Sequence, residues 1–115
     1  MANPLPKNIH KGTIGELLVQ LRLLEYGVQA SPPLKDTGND LIAIKEEIVK
    51  FIQVKTSSRI GNLPKIYHLV ALVDLKYNEN KNLLLDQSVV WIIEKGESPN
   101  QKKELDKSLV DEIWR

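Results

Sequence analysis

The sequence contains no cysteine, which excludes both disulfides and thiolate metal sites. Histidine is almost as scarce. With only His10 and His68 the chain is poorly supplied for a histidine-rich zinc centre, so any metal it holds would be coordinated by oxygen. No stretch approaches the roughly 20 apolar residues of a membrane helix, and the opening MANPLPKNIHKGT lacks the apolar centre of a signal peptide. These absences predict a soluble, cytoplasmic protein with no membrane partner. Internal repeats, low-complexity tracts and linkers are missing too, and a length of 115 residues fits one domain, 1–115, with one core.

A large excess of charge is also lacking: the formal net charge of +1 does not mark a strongly basic nucleic-acid binder. The signs are nevertheless unevenly spread. Residues 1–65 carry nine Lys/Arg against six Asp/Glu, and residues 66–115 carry seven against nine. Lys50, Lys55, Arg59 and Lys65 fall in a stretch without any acid, which makes a local positive patch.

Ile14, Leu17, Leu18, Leu21 and Leu24 recur at the spacing of one helix face, with Gly27 as a stop, and predict a helix over 13–26. A short extended piece at 28–31 precedes Pro32-Pro33. The runs DLIAI, IVKFIQVK, YHLVALVDL and SVVWIIE are dense in Ile, Val, Phe and Tyr between turn-forming flanks, and read as strands. NENKN reads as a turn or loop. Pro99 opens a last amphipathic helix with Leu105, Leu109, Val110 and Ile113 on one side, and the charges of EKGESPNQKKELDK read as its solvated start. A sheet flanked by helices is the natural architecture for this order, an α/β fold.

Two of these strands carry polar residues where apolar ones are expected. A turn at Glu46-Glu47 sets Lys45 opposite Ile48 and, counting outward, Asp40 opposite Gln53. Opposed residues have Cβ atoms about 4.5–5.5 Å apart, and residues two apart share a face, so Asp40, Gln53 and Lys55 cluster beside Ile42, Ile44, Val49 and Phe51. The register decides this, because one extra residue in the loop moves a whole strand to the other face, and Glu-Glu is not a favoured turn pair. A carboxylate facing an amide oxygen suits a hard cation such as Mg²⁺, and the neighbouring ammonium can orient water or stabilise charge on a phosphate. Together they point to phosphodiester hydrolysis.

At these residues the sequence resembles the PD-(D/E)XK nuclease superfamily, most of all its Holliday-junction-resolvase-like and restriction-endonuclease-like branches. The resemblance runs over roughly residues 11 to 95. The family's helix-borne acid matches Glu16 in KGTIGELLVQLRLLEYG, its aspartate matches Asp40 in GNDLIAI, and its (D/E)-x-K matches Gln53-Val54-Lys55 in IQVKTSS. The resemblance implies a restriction-endonuclease-like core, a central mixed β-sheet flanked by an N-terminal and a C-terminal helix. It implies a metal-dependent endonuclease acting on DNA, with Glu16, Asp40, Gln53 and Lys55 as catalytic residues. Mg²⁺, or Mn²⁺ in its place, would be held by Glu16, Asp40, Gln53 and the Val54 carbonyl, and Lys55 would assist the water. The sequence departs from the family twice: Gly38-Asn39 replaces the proline, and Gln53 replaces an acid, which keeps an oxygen but loses a negative charge.

Each residue also has a plainer explanation. Thr13 and Glu16 form a capping box, Asp40 suits a turn, and Gln53 and Lys55 suit the solvent face of an alternating strand. Thr56, Ser57, Ser58 and Arg59 either contact phosphate or form an exposed loop. His68 reads as structural and Trp91 as core, whereas Trp114 reads as exposed or at a subunit interface. One alternative to a nuclease is a catalytically degenerate nuclease-fold module that binds nucleic acid or a partner protein in a larger system. Another is an assembly protein that associates through the sheet edge or Trp114. Double-strand cutting by so small a unit calls for a homodimer.

Overall fold

The structure, a computed structural model, describes residues 7–34, 38, 40–56 and 60–115, with side chains described from Lys11 onward. Helix α1 (Lys7–Glu25) is followed by β1 (Gln29–Ser31), β2 (Leu41–Lys45), β3 (Ile48–Lys55), β4 (Leu69–Asp74), β5 (Val89–Glu94), β6 (Lys103–Glu104) and α2 (Lys107–Ile113). The six strands form one sheet in chain order, antiparallel throughout except for the parallel pair β3/β4. A parallel neighbour cannot be reached by a tight turn. The two strands are accordingly joined by a longer connection, between Lys55 and Leu69.

Helix α1 starts earlier than the leucine spacing predicts, so Thr13 lies inside it and does not cap it. Its end is as expected. Gly27 adopts φ +84°, the Val28 N–H donates to the Leu23 carbonyl at 2.9 Å, and the Gly27 N–H donates to the Leu24 carbonyl at 3.1 Å. This is a Schellman stop, which brings the fully buried Leu23 and Val28 together.

The buried stripe of α1 is Gly15, Leu18, Val19 and Leu23, whereas Leu17, Leu21 and Leu24 remain 58%, 53% and 62% exposed. Both stripes have helical spacing, and the one containing glycine faces the sheet. A methyl group built on Gly15 would overlap Thr56 Cγ2, with Val54 Cγ1 also nearby at 3.7 Å. Only the missing side chain lets the helix lie this close to β3.

Both helices pack on the same face of the sheet. Leu18, Val19 and Leu23 of α1 and Leu109, Val110 and Ile113 of α2, followed by Trp114, form one core with Leu41, Ala43, Ile52, Leu69, Ala71, Val73, Val90 and Ile92. On the other face Gln53, Val70, Leu72 and Ile93 are also buried. The apolar run of β4 is thus buried on both sides, as a central strand requires.

The C-terminal segment differs from expectation. Pro99 opens a 3₁₀ turn (Pro99–Gln101) with a Ser98/Gln101 capping box, and the two residues of β6 then pair with β5. Helix α2 begins only after Asp106, whose carboxylate accepts the Leu109 N–H at 2.8 Å. The buried Leu105 explains the delay: its N–H donates to the Val90 carbonyl at 2.9 Å, so the chain is held to the sheet before it can coil. Trp114 is neither exposed nor at a subunit interface. It is 4% exposed, with Nε1 donating to the Ala43 carbonyl at 3.5 Å, and Lys45 ties the same helix to β2 through Asp111 at 2.9 Å.

The Gly15 contact predicts a change of sign. Gly15→Ala destabilises the protein by about 1–3 kcal/mol because the methyl overpacks against Thr56. In a Thr56→Ala background the same substitution stabilises by up to about 1 kcal/mol, because only the helix-propensity gain remains. Urea denaturation of the four proteins of this cycle measures both effects.

Candidate active site

The hairpin register is the expected one: Lys45 pairs with Ile48, Ile44 with Val49, Ala43 with Lys50, Ile42 with Phe51 and Leu41 with Ile52. The tight turn is accommodated by Glu46, which takes the left-handed φ of 57°. Asp40 departs from the predicted cross-strand pair. Its N–H donates to the Ile52 carbonyl at 3.1 Å instead of continuing the ladder opposite Gln53. Its carboxylate Oδ2 accepts the Val54 N–H at 2.8 Å. The aspartate therefore sits at the end of the ladder with one oxygen anchored to the β3 backbone.

Gln53 is 5% exposed and its side-chain amide nitrogen donates to the Gly38 carbonyl. Alternation sends Val54 to the helix-covered face and Gln53 and Lys55 to the opposite one. Lys55 is half-buried and makes no salt bridge among the described residues.

Glu16 follows Gly15 on α1, so the close helix contact that Gly15 permits also brings Glu16 to this end of the sheet. Burial raises the pKa of its carboxyl, and the negative charge of Asp40 raises it further. Glu16 and Asp40 are thus within electrostatic reach of each other. Two carboxylates within reach of each other supply oxygen donors, the ligand type that a hard cation such as Mg²⁺ takes. Among the described residues, no group of three His, Cys, Asp or Glu side chains is placed to hold a metal.

Ser57, Ser58 and Arg59 lie outside the described residues, and Thr56 is half-buried. His68 is structural, as expected. Its Nδ1 accepts the Phe51 N–H at 2.8 Å, its own N–H donates to the Phe51 carbonyl at 2.9 Å, and its ring lies 5.3 Å from the Phe51 ring. Burial and the nearby Lys50 and Lys95 lower its pKa, keeping it neutral and able to accept that bond.

Trp91 is not core. It is half-buried on the face away from the helices, with the Lys102 ammonium 4.6 Å above its ring. Alternation carries the signal that reading VVWII as one apolar block misses, since Val90 and Ile92 point to the helices and Trp91 between them cannot. No helix of the described residues is long and apolar enough to cross a membrane.

No protein-family model matches the sequence, and neither does any curated protein. Among solved structures the chain is similar to that of a bacterial homing endonuclease, I-Ssp6803I, with 17% sequence identity and a TM-score of 0.49 over 94% of this chain and 93% of the other.

If Asp40 contributes to the raised pKa of Glu16, Asp40→Asn lowers that pKa without returning it to an ordinary value, because burial remains. Carboxyl-detected NMR titration in the presence of chelator measures the change, and an unaltered Glu16 pKa would leave burial as its only cause.

Proposed function

We propose that this chain is a metal-dependent endonuclease of the PD-(D/E)XK type that hydrolyses phosphodiester bonds in DNA. The observation that carries this reading is the electrostatic proximity of Glu16 to Asp40, whose carboxylate is anchored to β3, the strand that carries Gln53 and Lys55. Asp40 and Glu16 would hold Mg²⁺ or Mn²⁺, with the Gln53 side-chain oxygen and the Val54 carbonyl as further ligands. The bound ion would supply Lewis-acid polarisation of the phosphate and an activated water.

The protein's own part is positional. The Val54 N–H fixes the Asp40 carboxylate, and the packing of Gly15 against Thr56 and Val54 fixes the helix that presents Glu16. The Lys55 ammonium stabilises the charge that develops on the phosphate and orients the attacking water. Ser57, Ser58 and Arg59, next along the chain, would contact the nucleic-acid backbone.

A second reading is a degenerate nuclease-fold module that binds nucleic acid or a partner protein without cutting. Its specific support is Gln53, which brings no charge and whose amide is tied to the Gly38 carbonyl. One experiment separates the two. Labelled linear duplex, single-stranded and four-way-junction DNA are incubated with Mg²⁺, with Mn²⁺ and with chelator. Metal-dependent cleavage is expected, reduced about 100-fold or more in Asp40→Ala and in Lys55→Ala. Unchanged cleavage in both variants overturns the site, and no cleavage together with no calorimetric binding of Mg²⁺ or Mn²⁺ favours the degenerate module.

Cutting both strands of a duplex requires two sites, which a second copy of the chain would provide. The exposed leucines of α1, Leu17, Leu21 and Leu24, lie beside Gln29 and Ala30 of the edge strand β1 and offer an apolar seat for that copy. Sedimentation should give a dimer mass, and Leu21→Glu with Leu24→Glu should give a folded monomer that no longer cuts both strands. A wild-type monomer that makes double-strand breaks would remove the dimer from this reading.

A further inference from the structure

The strand registers extend the candidate site sideways. Lys55 pairs with Leu72 across the parallel ladder, and Leu72 pairs with Trp91 across the next. Paired residues share a face, so Lys55, Leu72 and Trp91 form one row. With neighbouring strands about 4.7–4.9 Å apart, Lys55 and Trp91 are separated by roughly 10 Å across the buried Leu72.

That row runs into a cleft of about 670 Å³ beyond the C-terminal end of β4. Its lining includes Lys11, Thr56, Tyr77, Trp91, Asn100 and Lys102. Each aromatic ring has an ammonium above it: Lys102 Nζ is 4.6 Å from the centre of Trp91, and Lys11 Nζ is 5.9 Å from the centre of Tyr77. The acid of the lining, Asp74, is neutralised by Lys76 at 2.9 Å. The cleft therefore combines net positive charge with flat aromatic surface.

This is the chemistry of single-stranded nucleic-acid grooves, in which lysines follow the phosphates and aromatic rings take the bases. A neutral or cationic peptide would gain nothing from the lysines. A continuous duplex keeps its base faces stacked and cannot reach a ring on a sheet face. Resting on the nuclease reading for the position of the cut, we propose that this cleft takes an unpaired nucleotide of the substrate strand, its base on Trp91 and its flanking phosphates between Lys102 and Lys11. Stacking of a base on the ring outweighs the exposed cation–π contact it replaces, and the flexible lysine swings to the adjacent phosphate. The substrate class is then nucleic acid with unpaired bases beside the scissile bond, such as a single strand, a flap or a junction.

The test is equilibrium binding in chelator, so that it does not depend on cleavage. A labelled single-stranded oligonucleotide and a blunt duplex of the same sequence are titrated against wild type, Trp91→Leu, Trp91→Phe and the double variant Lys11→Ala/Lys102→Ala. Single-strand affinity should fall about tenfold in Trp91→Leu and recover in large part in Trp91→Phe, with duplex affinity changed less than about twofold. The lysine double variant should flatten the dependence of log affinity on log salt by about 1.4 for the single strand. Because Trp114 is buried, the single strand should also quench the emission of Trp91 in the wild type.

Equal losses for single strand and duplex, binding without quenching, or no binding to either oligonucleotide overturns the inference. A Trp91 effect in a protein that cuts nothing would keep the cleft and discard the nuclease. Cleavage that requires Lys55 without any Trp91 effect would do the reverse.

Discussion

Everything at the candidate site depends on how closely α1 lies against the end of β3. Gly15 is the residue that sets that distance, since even one methyl group there would meet Thr56. A helix held farther out would still bury Leu18, Val19 and Leu23, but it would carry Glu16 away from Asp40. Packing density and site geometry are thus fixed by the same contact. The cost is borne by Glu16, whose carboxyl is partly withdrawn from water and faces a like charge.

The substitution of glutamine for an acid at position 53 fits that balance. A carboxylate at this position would be a charge in a place that is nearly closed to solvent, for residue 53 is 5% exposed. The amide instead donates to the Gly38 carbonyl and ties β3 to the chain leading into Asp40. Two anchors, the Gln53 amide and the Val54 N–H, therefore hold that segment from neighbouring positions of one strand.

Much of this architecture was legible in the sequence where local chemistry decides it. The presence of β2 and β5, the extent of β3, the turn at Glu46-Glu47 and the helix stop at Gly27 follow from strand density, turn length and the need for a left-handed residue. What could not be read is which side of each element the rest of the chain would cover. Helix α1 has two overlapping apolar stripes, and a tertiary contact at Gly15 selects between them. Trp91 and Trp114 exchange their expected roles for the same reason: the helices cover the face of Val90 and Ile92, which leaves Trp91 on the other side and makes Trp114 part of the cover. The strand β6, with only Lys103 and Glu104, has no apolar pattern to announce it. The anchoring of Asp40 to the Val54 N–H could not be read either, because it depends on where the ladder stops, and spacing does not encode that.

The placement of Trp114 over β2 also sets the order in which the chain can mature. Its indole reaches Ala43 across a sequence separation of 71 residues, and Lys45 meets Asp111 across 66. While a ribosome is still adding the segment from Leu105 onward, Leu41 and Ala43 lack the side chains that will cover them. The hairpin can form on the nascent chain, but the sheet stays sticky on one face until the last helix docks. The exposure of that face ends only when Trp114 is in place over Ala43.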